Sequence, residues 1–526
     1  MSEIKKLKIN GQEYTITDDG AVAFDKPQML TEEQKQQARQ NIGAEEASYY
    51  SSLSIAMTDV NNGVSDNALS TEVGAKVKVF TADDGRLTVM LLDDVSESTQ
   101  IDITTDLDIV LNGHTISLTT AEAYLNFADG TNCSINGEVA GSAIVKDVSA
   151  LGTISTSCYV VNAAGEKLHV VGGSYSITGA CSLFMLTFRN GVYAGQLIFE
   201  DCEISANNTA TEIANSKYDG NFTRPVQTYC DVTFRNAIVT ANTMSIAQAL
   251  FIGDDGPVEA RVEKSTIRAI TQAKYSYGIV NLANNTLIVD NSVVFVDAPG
   301  DGADEELSVG IQNKGILFLT DTNVSATQMA VSTQEGSKTY VSGGTFTGYS
   351  HGGFYFVHGA DGEAFVNDAV IRCANYEGQF TDIFSGDTVA PYGGFYIGGG
   401  TNECNSDMTV YMDGCTIGTP TYSGFVMRAT DGEANNTVNL SNCTINAATI
   451  RVDGGTGHLL NVGVGTNITE SMISTPAQAS FTDELYRKKH ADSSCDGSDY
   501  TAILGLIDAK LGATFDNIDA LLGGDS

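Results

Sequence analysis

From Thr88 to about Pro476 the chain consists of short runs in which apolar and polar residues alternate, each broken by one or two turn-forming residues. Period-two alternation marks a strand with one buried face. The runs share a phrase: an alternating strand, an Asn, Asp or Gly turn, a small residue, then a second strand. It is plainest in LIFEDCEI at Asp201, TVYMDGCTI at Asp413 and TVNLSNCTI at Asn442. Looser copies sit at Asn236, Lys264, Asn291, Asp321, Gly343 and Asp368. From Asp201 to Asn442 the steps are 35, 28, 27, 30, 22, 25, 45 and 29 residues. A unit of that size, with about three short strands joined by tight corners, cannot bury its apolar face alone; it predicts a parallel solenoid of stacked corners. A β-propeller would need blades of ~40–45 residues with four antiparallel strands, longer than most of these steps. At ~4.8 Å per turn, about twelve turns give a rod ~55–60 Å long. Asn and Asp side chains at stacked turns are expected to hydrogen-bond to their neighbours above and below.

The first such phrase is DLDIVLNGHTI (106–116), with Leu107, Ile109, Leu111 and Ile116 expected to point inward and Asn112-Gly113 to supply a left-handed turn. It resembles the first rung of right-handed parallel β-helix proteins of cell surfaces and phage spikes. That resemblance implies an all-β body over residues 81–476, a right-handed single-stranded parallel β-helix.

The ends differ. Residues 1–26 alternate around the turn pairs Asn10-Gly11 and Asp19-Gly20 and predict a small hairpin module. LTEEQKQQARQNIGA (30–44) predicts a short polar helix, with Thr31 and Gln34 as a capping box and Gly43 as its stop. Residues 46–80 are mixed and polar and are expected to be a neck or connector. After Pro476 comes a charged loop. TAILGLIDAKLGATFDNIDALLGG then repeats apolar residues at helical spacing, so 477–526 are expected to end in an amphipathic helix that caps the solenoid or bundles chains. LTEEQKQQARQNIGA and its leader INGQEYTITDDGAVAF resemble a phrase common near the N-termini of bacteriophage tail-fibre and baseplate-associated proteins. The resemblance covers about the first 45 residues. It implies a homotrimer held to the tail, baseplate or another virion protein through an N-terminal attachment module, 1–45.

Charge narrows the partners. There are 28 Lys and Arg against 65 Asp and Glu, a net charge of −37, which disfavours nucleic acid because its affinity comes from neutralised phosphates. MSEIKKLKING has no apolar signal core, and no run reaches the ~18 apolar residues of a membrane span. These features lead to the expectation of a product made in the host cytoplasm, assembled into a virion and not inserted in a membrane. The 10 Cys show no CxxC and no zinc spacing; Cys202, Cys415 and Cys443 share one repeat position and are expected to be buried free thiols. His351 and His358 lie seven residues apart, which is no local metal motif, and no metal or cofactor is expected.

No nucleophile elbow, P-loop, HExxH or dinucleotide fingerprint occurs, so function is expected on the rod's surface. Three insertions, 206–226, 297–308 and 374–392, follow the strand after the turn and are expected to line one flank. The last carries Tyr376, Glu377, Phe380, Asp382, Asp387 and Tyr392. Beside it, alternation in GGFYFV and GGFYIG sends Phe354, Phe356, Phe395 and Ile397 inward and Tyr355 and Tyr396 outward, in register on adjacent turns. Exposed rings beside acids suit carbohydrate, since rings stack on sugar C–H faces and acids hold hydroxyls. Tyr355, Tyr396, Tyr376, Phe380 and Tyr392 are thus the expected carbohydrate-binding residues. Glycosidic cleavage needs two carboxylates ~5–9.5 Å apart, and Glu377, Asp382 and Asp387 are the catalytic candidates. The expected function is adsorption to a host surface polysaccharide without cleavage, with a depolymerase or a non-glycan decoration protein as alternatives.

Overall fold

The computed structural model describes residues 47–152, 157–180, 183–187, 195–209, 222–243, 246–253, 257–271, 275–298, 307–334, 336–349, 351–356, 362–374, 380–381, 388–389, 393–398, 408–428, 436–453 and 457–486, and three short strands before residue 24. The body is a parallel β-helix. Each turn gives one strand to each of three sheets, as Glu259–Glu263, Thr266–Thr271 and Tyr275–Asn281 do in one turn. Sheet I contains the strands before the repeated turn. Its pairing runs from Ala47–Tyr50 at one end to Ala479–Phe481 at the other without closing on itself. Sheet II, after the turn, has 13 strands from Val95–Glu97 to Thr444–Ile445. Sheet III has 14 strands, 13 of them on a path from Ile101–Ile103 to Arg451–Asp453 and Val226–Thr228 beside it.

The repeated phrase is the corner between sheets I and II. Asn112, Asp201, Asn236, Lys264, Asn291, Asp321, Asp368 and Asn442 all have φ between 44° and 55°, and Gly343 and Gly414 take the same place. This left-handed conformation reverses the chain in one residue, and Asn, Asp and Gly tolerate it best. The corners stack through the backbone: Asn236 N–H donates to Glu263 O at 3.0 Å, Lys264 N–H to Asp290 O at 3.0 Å and Asn291 N–H to Thr320 O at 2.9 Å. The expected side-chain ladder exists only in places, as Asn236 to Asp201 at 2.6 Å and Asn442 to Asp413 at 2.8 Å. In the TVYMDGCTI copy the left-handed residue is Gly414, one place after Asp413. A Cβ at Gly343 would collide with the Asp321 carboxylate and one at Gly414 with that of Asp368, so side chains reaching over the next corner explain both glycines.

Inward residues form continuous columns. Leu107, Ile109, Leu111 and Ile116 are all fully buried, as expected. Phe199 stacks on Phe234 at 5.1 Å, and Phe395 on Phe425 at 4.5 Å. Small residues line the corner: Cys202, Ala237, Ser265, Ser292, Ala369, Cys415 and Cys443 are buried, and the described cysteines are free thiols. Lys146 also points into the core. Its ammonium is satisfied by the carbonyls of Ala121, Ala123 and Tyr159 at 2.7, 2.7 and 2.8 Å, as a buried charge requires.

The N-terminal end of the core is covered. Helix α1, Leu53–Asn62, is started by the Ser52 side chain, which accepts from Ile55 N–H, and stopped by Gly63 at φ 66°. Glu97, in the first strand of sheet II, accepts from Leu53 N–H at 2.8 Å and Ser54 N–H at 3.2 Å, so the first turn caps the helix. Leu53, Ala56 and Met57 bury against the core. Residues expected to form a connector thus include this cover, with Ala47–Tyr50 and Val77–Thr81 antiparallel beside it. Near the N-terminus, Lys6–Ile9 and Gln12–Ile16 pair around Asn10-Gly11. The helices expected over 30–44 and 501–524 lie outside the described residues.

Two expectations follow. Lys264 pays for a left-handed backbone with a side chain that gains nothing from it, so Lys264→Asn should raise stability by about 1 kcal/mol, read by thermal or denaturant unfolding; an unchanged or lower midpoint would count against the corner's role. His458 is buried and, among the described residues, neither ring nitrogen has a hydrogen-bond partner; burial pushes its pKa below the ordinary value. The unfolded chain then binds the proton more tightly, so His458 supports stability above the unfolded pKa of ~6.5 and opposes it as pH falls through the lower folded value. His458→Leu should lose less stability than the parent between pH 7.5 and 5.5; equal losses would show that His458 is not the source.

Candidate functional site

The three long insertions leave the rod at one corner. Segment 209–221 joins Glu203–Asn208 of sheet II to Phe222–Thr223 of sheet III; 298–306 joins Val293–Asp297 to Leu307–Asn313. The third lies between Val370–Cys373 and Phe395–Gly398. It contains a short antiparallel pair in which Phe380 is opposite Val389. Tyr376, Glu377, Asp382, Asp387 and Tyr392 lie outside the described residues, as does the Phe380 side chain.

The expected aromatic platform is corrected. Tyr355 and Tyr396 are in register on adjacent turns and on the face opposite Phe354, Phe356, Phe395 and Ile397. Yet they are 1% and 2% exposed. Their rings stack at 4.9 Å and 13°, His351 meets Tyr355 edge-on at 5.3 Å, and both tyrosines belong to a second apolar cluster with Val280, Val309, Met329 and Val426. Strand alternation fixes which side of a sheet a residue takes; it does not say whether a second layer covers that side. Here that side is buried, and neither ring is available to a sugar.

Sheet I carries another aromatic row that sequence reading missed. Phe318, Tyr340, Phe365 and Tyr411 stack in order at 4.9, 5.4 and 5.1 Å. Each lies three residues before a left-handed corner, which was a legible signal. Their faces are spent on one another, so the row presents edges outward and serves cross-strand stability.

The outer face of sheet III remains open over the first turns. Asp102, Asn126 and Asn162 are in register there. Asn126 Nδ2 donates to Asp102 Oδ1 at 2.7 Å, Asn162 Nδ2 to Asn126 Oδ1 at 2.8 Å, and Gln100 Nε2 to Asp102 Oδ1 at 2.5 Å. Among the described residues Asp102 Oδ2 takes no hydrogen bond, and the carboxylate is exposed. Beside this ladder Tyr124 and Tyr159 are half-buried, 6.3 Å apart and nearly perpendicular at 69°. An edge-to-face pair leaves a ring face uncovered by its partner, unlike a stack. Tyr124 donates to Gln100 Oε1 at 2.5 Å, and burial, with the Asp102 charge, raises its pKa, so the phenol stays protonated. Asn126 and Asn162 sat in plain alternation within LNF and VVNA; nothing in so Asn-rich a chain set them apart.

Arg224 lies farther along the same face. Its guanidinium lies over the rings of Phe222 and Phe251 at 4.2 and 4.0 Å and donates to Gln248 at 2.5 Å and Gln227 at 2.7 Å. Burial lowers its pKa to about 10, which leaves it charged at neutral pH. Past it the column turns apolar with Phe251 and Val280. Among the described residues there is no metal-binding cluster of three or more His, Cys, Asp or Glu, and no helix is long and apolar enough to cross a membrane.

Tyr355→Ala and Tyr396→Ala should each cost about 3–5 kcal/mol of stability as large buried aromatics, measured by denaturant unfolding; a loss below about 1 kcal/mol would show that the rings are not packed. Comparison with protein-family models, curated proteins and solved structures finds no match for this chain.

Proposed function

We propose that this protein is a bacteriophage virion appendage of the tail-spike or tail-fibre kind, a homotrimer that binds a host cell-surface polysaccharide during adsorption. The observation that carries the glycan reading is the open array on the first turns of sheet III: edge-to-face Tyr124 and Tyr159 beside Asp102, Asn126 and Asn162. Partly exposed tyrosine rings, amides fixed by hydrogen bonds and an exposed carboxylate together match a sugar's C–H face and its hydroxyls. The resemblance of LTEEQKQQARQNIGA to virion appendage leaders, ahead of a long β-helix, supports placement in a particle with the N-terminus as the attachment end. A rod of stacked turns suits this use, since each turn adds ~4.8 Å of reach. The proposal is one of binding. Cleavage would need a carboxylate pair, and its candidates Glu377, Asp382 and Asp387 fall outside the described residues.

The test is binding of the intact protein to arrayed capsular and O-chain polysaccharides and to whole host cells. Tyr124→Ala and Asn126→Ala should each weaken binding about tenfold, or ~1.4 kcal/mol, with little change in melting temperature. Binding unaffected by either substitution would remove this face from the account, and absence of any glycan or cell binding would remove the function.

A further inference from the structure

The three faces of the rod are not alike. Sheet I is charged: Glu200, Arg235 and Glu263 form a chain of ion pairs at 2.6 and 3.1 Å, and Arg86 grips Asp108 at 2.9 Å. The outward side chains of sheet III are buried over its later turns. The outward positions of sheet II are exposed or half-buried, and among the described residues its strands carry only three outward carboxylates, Asp147, Glu203 and Asp297. From Ile238 to Thr444 its two central outward columns contain no Asp or Glu; their charged residues are Arg268 and Arg372. Ile238, Val293 and Phe295 lie together there, 37%, 41% and 38% exposed. Arg268, beside Phe295 on the neighbouring turn, has no ion pair or hydrogen bond from its side chain among the described residues.

We infer that the outer face of sheet II is where copies of this chain meet. Two copies, each at −37, repel, so a contact face has to be one that brings few carboxylates together. This face meets that condition and offers apolar side chains in place of charge. Its size fits. Thirteen strands at ~4.8 Å make a band about 58 Å long; with outward residues ~6.6 Å apart and two or three per strand it is about 13 Å wide. The resulting ~750 Å² approaches the ~800 Å² each partner gives to a standard interface. Glu203, one turn before Ile238 in the same column, and Asp297, at the far end of its strand, are the carboxylates a neighbouring copy could bring to Arg268. The inference gives the homotrimer of the proposed function its contact face, and does not depend on glycan binding.

The test uses the full chain. Ser325→Cys, on sheet II, treated with a short bismaleimide, should give covalent dimers and trimers on a denaturing gel; Thr320→Cys, exposed on sheet I, should not, and the unsubstituted chain sets the background from native thiols. Adding Phe295→Asp to Ser325→Cys should reduce that cross-linking at least fivefold while the circular dichroism spectrum stays unchanged. Equal cross-linking from Thr320→Cys, or no effect of Phe295→Asp, would overturn the assignment of the face while leaving an oligomer. A monomer by analytical ultracentrifugation would overturn both the face and the trimer, with the glycan reading still standing on its own test.

Discussion

The structure depends on one backbone device, the left-handed corner between sheets I and II. A residue at φ near 50° turns the chain, and its N–H donates to the carbonyl just before the equivalent corner of the next turn. That bond ties turn to turn at the point where the chain bends most sharply. With the corner fixed, alternation on either side has a defined start, and a slip of one residue would send each inward residue out. The steps between corners vary from 22 to 45 residues, yet the corners still stack. The extra residues are taken up at the other two corners, chiefly between sheets II and III, where loop length costs little.

From this follows a division among the faces. The interior is a column-by-column core, against which the buried Lys146 is held by three carbonyls. Insertions feed the sheet II–III corner, and later turns of sheet III are buried from outside as well as inside. The first turns of that sheet stay open and polar. A net charge of −37 would coat any uniform rod in carboxylates, so a face with few of them is informative.

Much of the fold was legible because the corner has a chemical signature. Asn, Asp and Gly mark a left-handed position, and the copies at Asp201, Asn236, Lys264, Asn291, Asp321, Gly343, Asp368 and Asn442 all take it. Even Lys264, the poorest match, was found by its setting. Inward positions such as Ile109 and Phe354 followed from period two. The site was far less legible. Tyr355 and Tyr396 were placed on the correct side of the sheet, but burial there depends on what lies above the sheet, and a local pattern contains no such information. Tyr124 and Tyr159 went unnoticed because their pairing depends on an irregular register: Val160 and Val161 are both buried, which shifts Tyr159 against the turn before it. The ladder from Phe318 to Tyr411 could have been read, since four aromatics occupy one position of the repeat.

The central claim is that an open early face of sheet III meets the glycan while sheet II meets other copies. Hydroxyl-radical footprinting of the intact protein, with and without host polysaccharide, reads both at once from side-chain oxidation. The expected result is oxidation of Tyr124 and Tyr159 that falls when glycan is added, with Phe295 protected throughout and Tyr355 and Tyr396 unmodified. Glycan protection confined to other residues, with Tyr124 unchanged and Phe295 freely oxidised, would contradict the account.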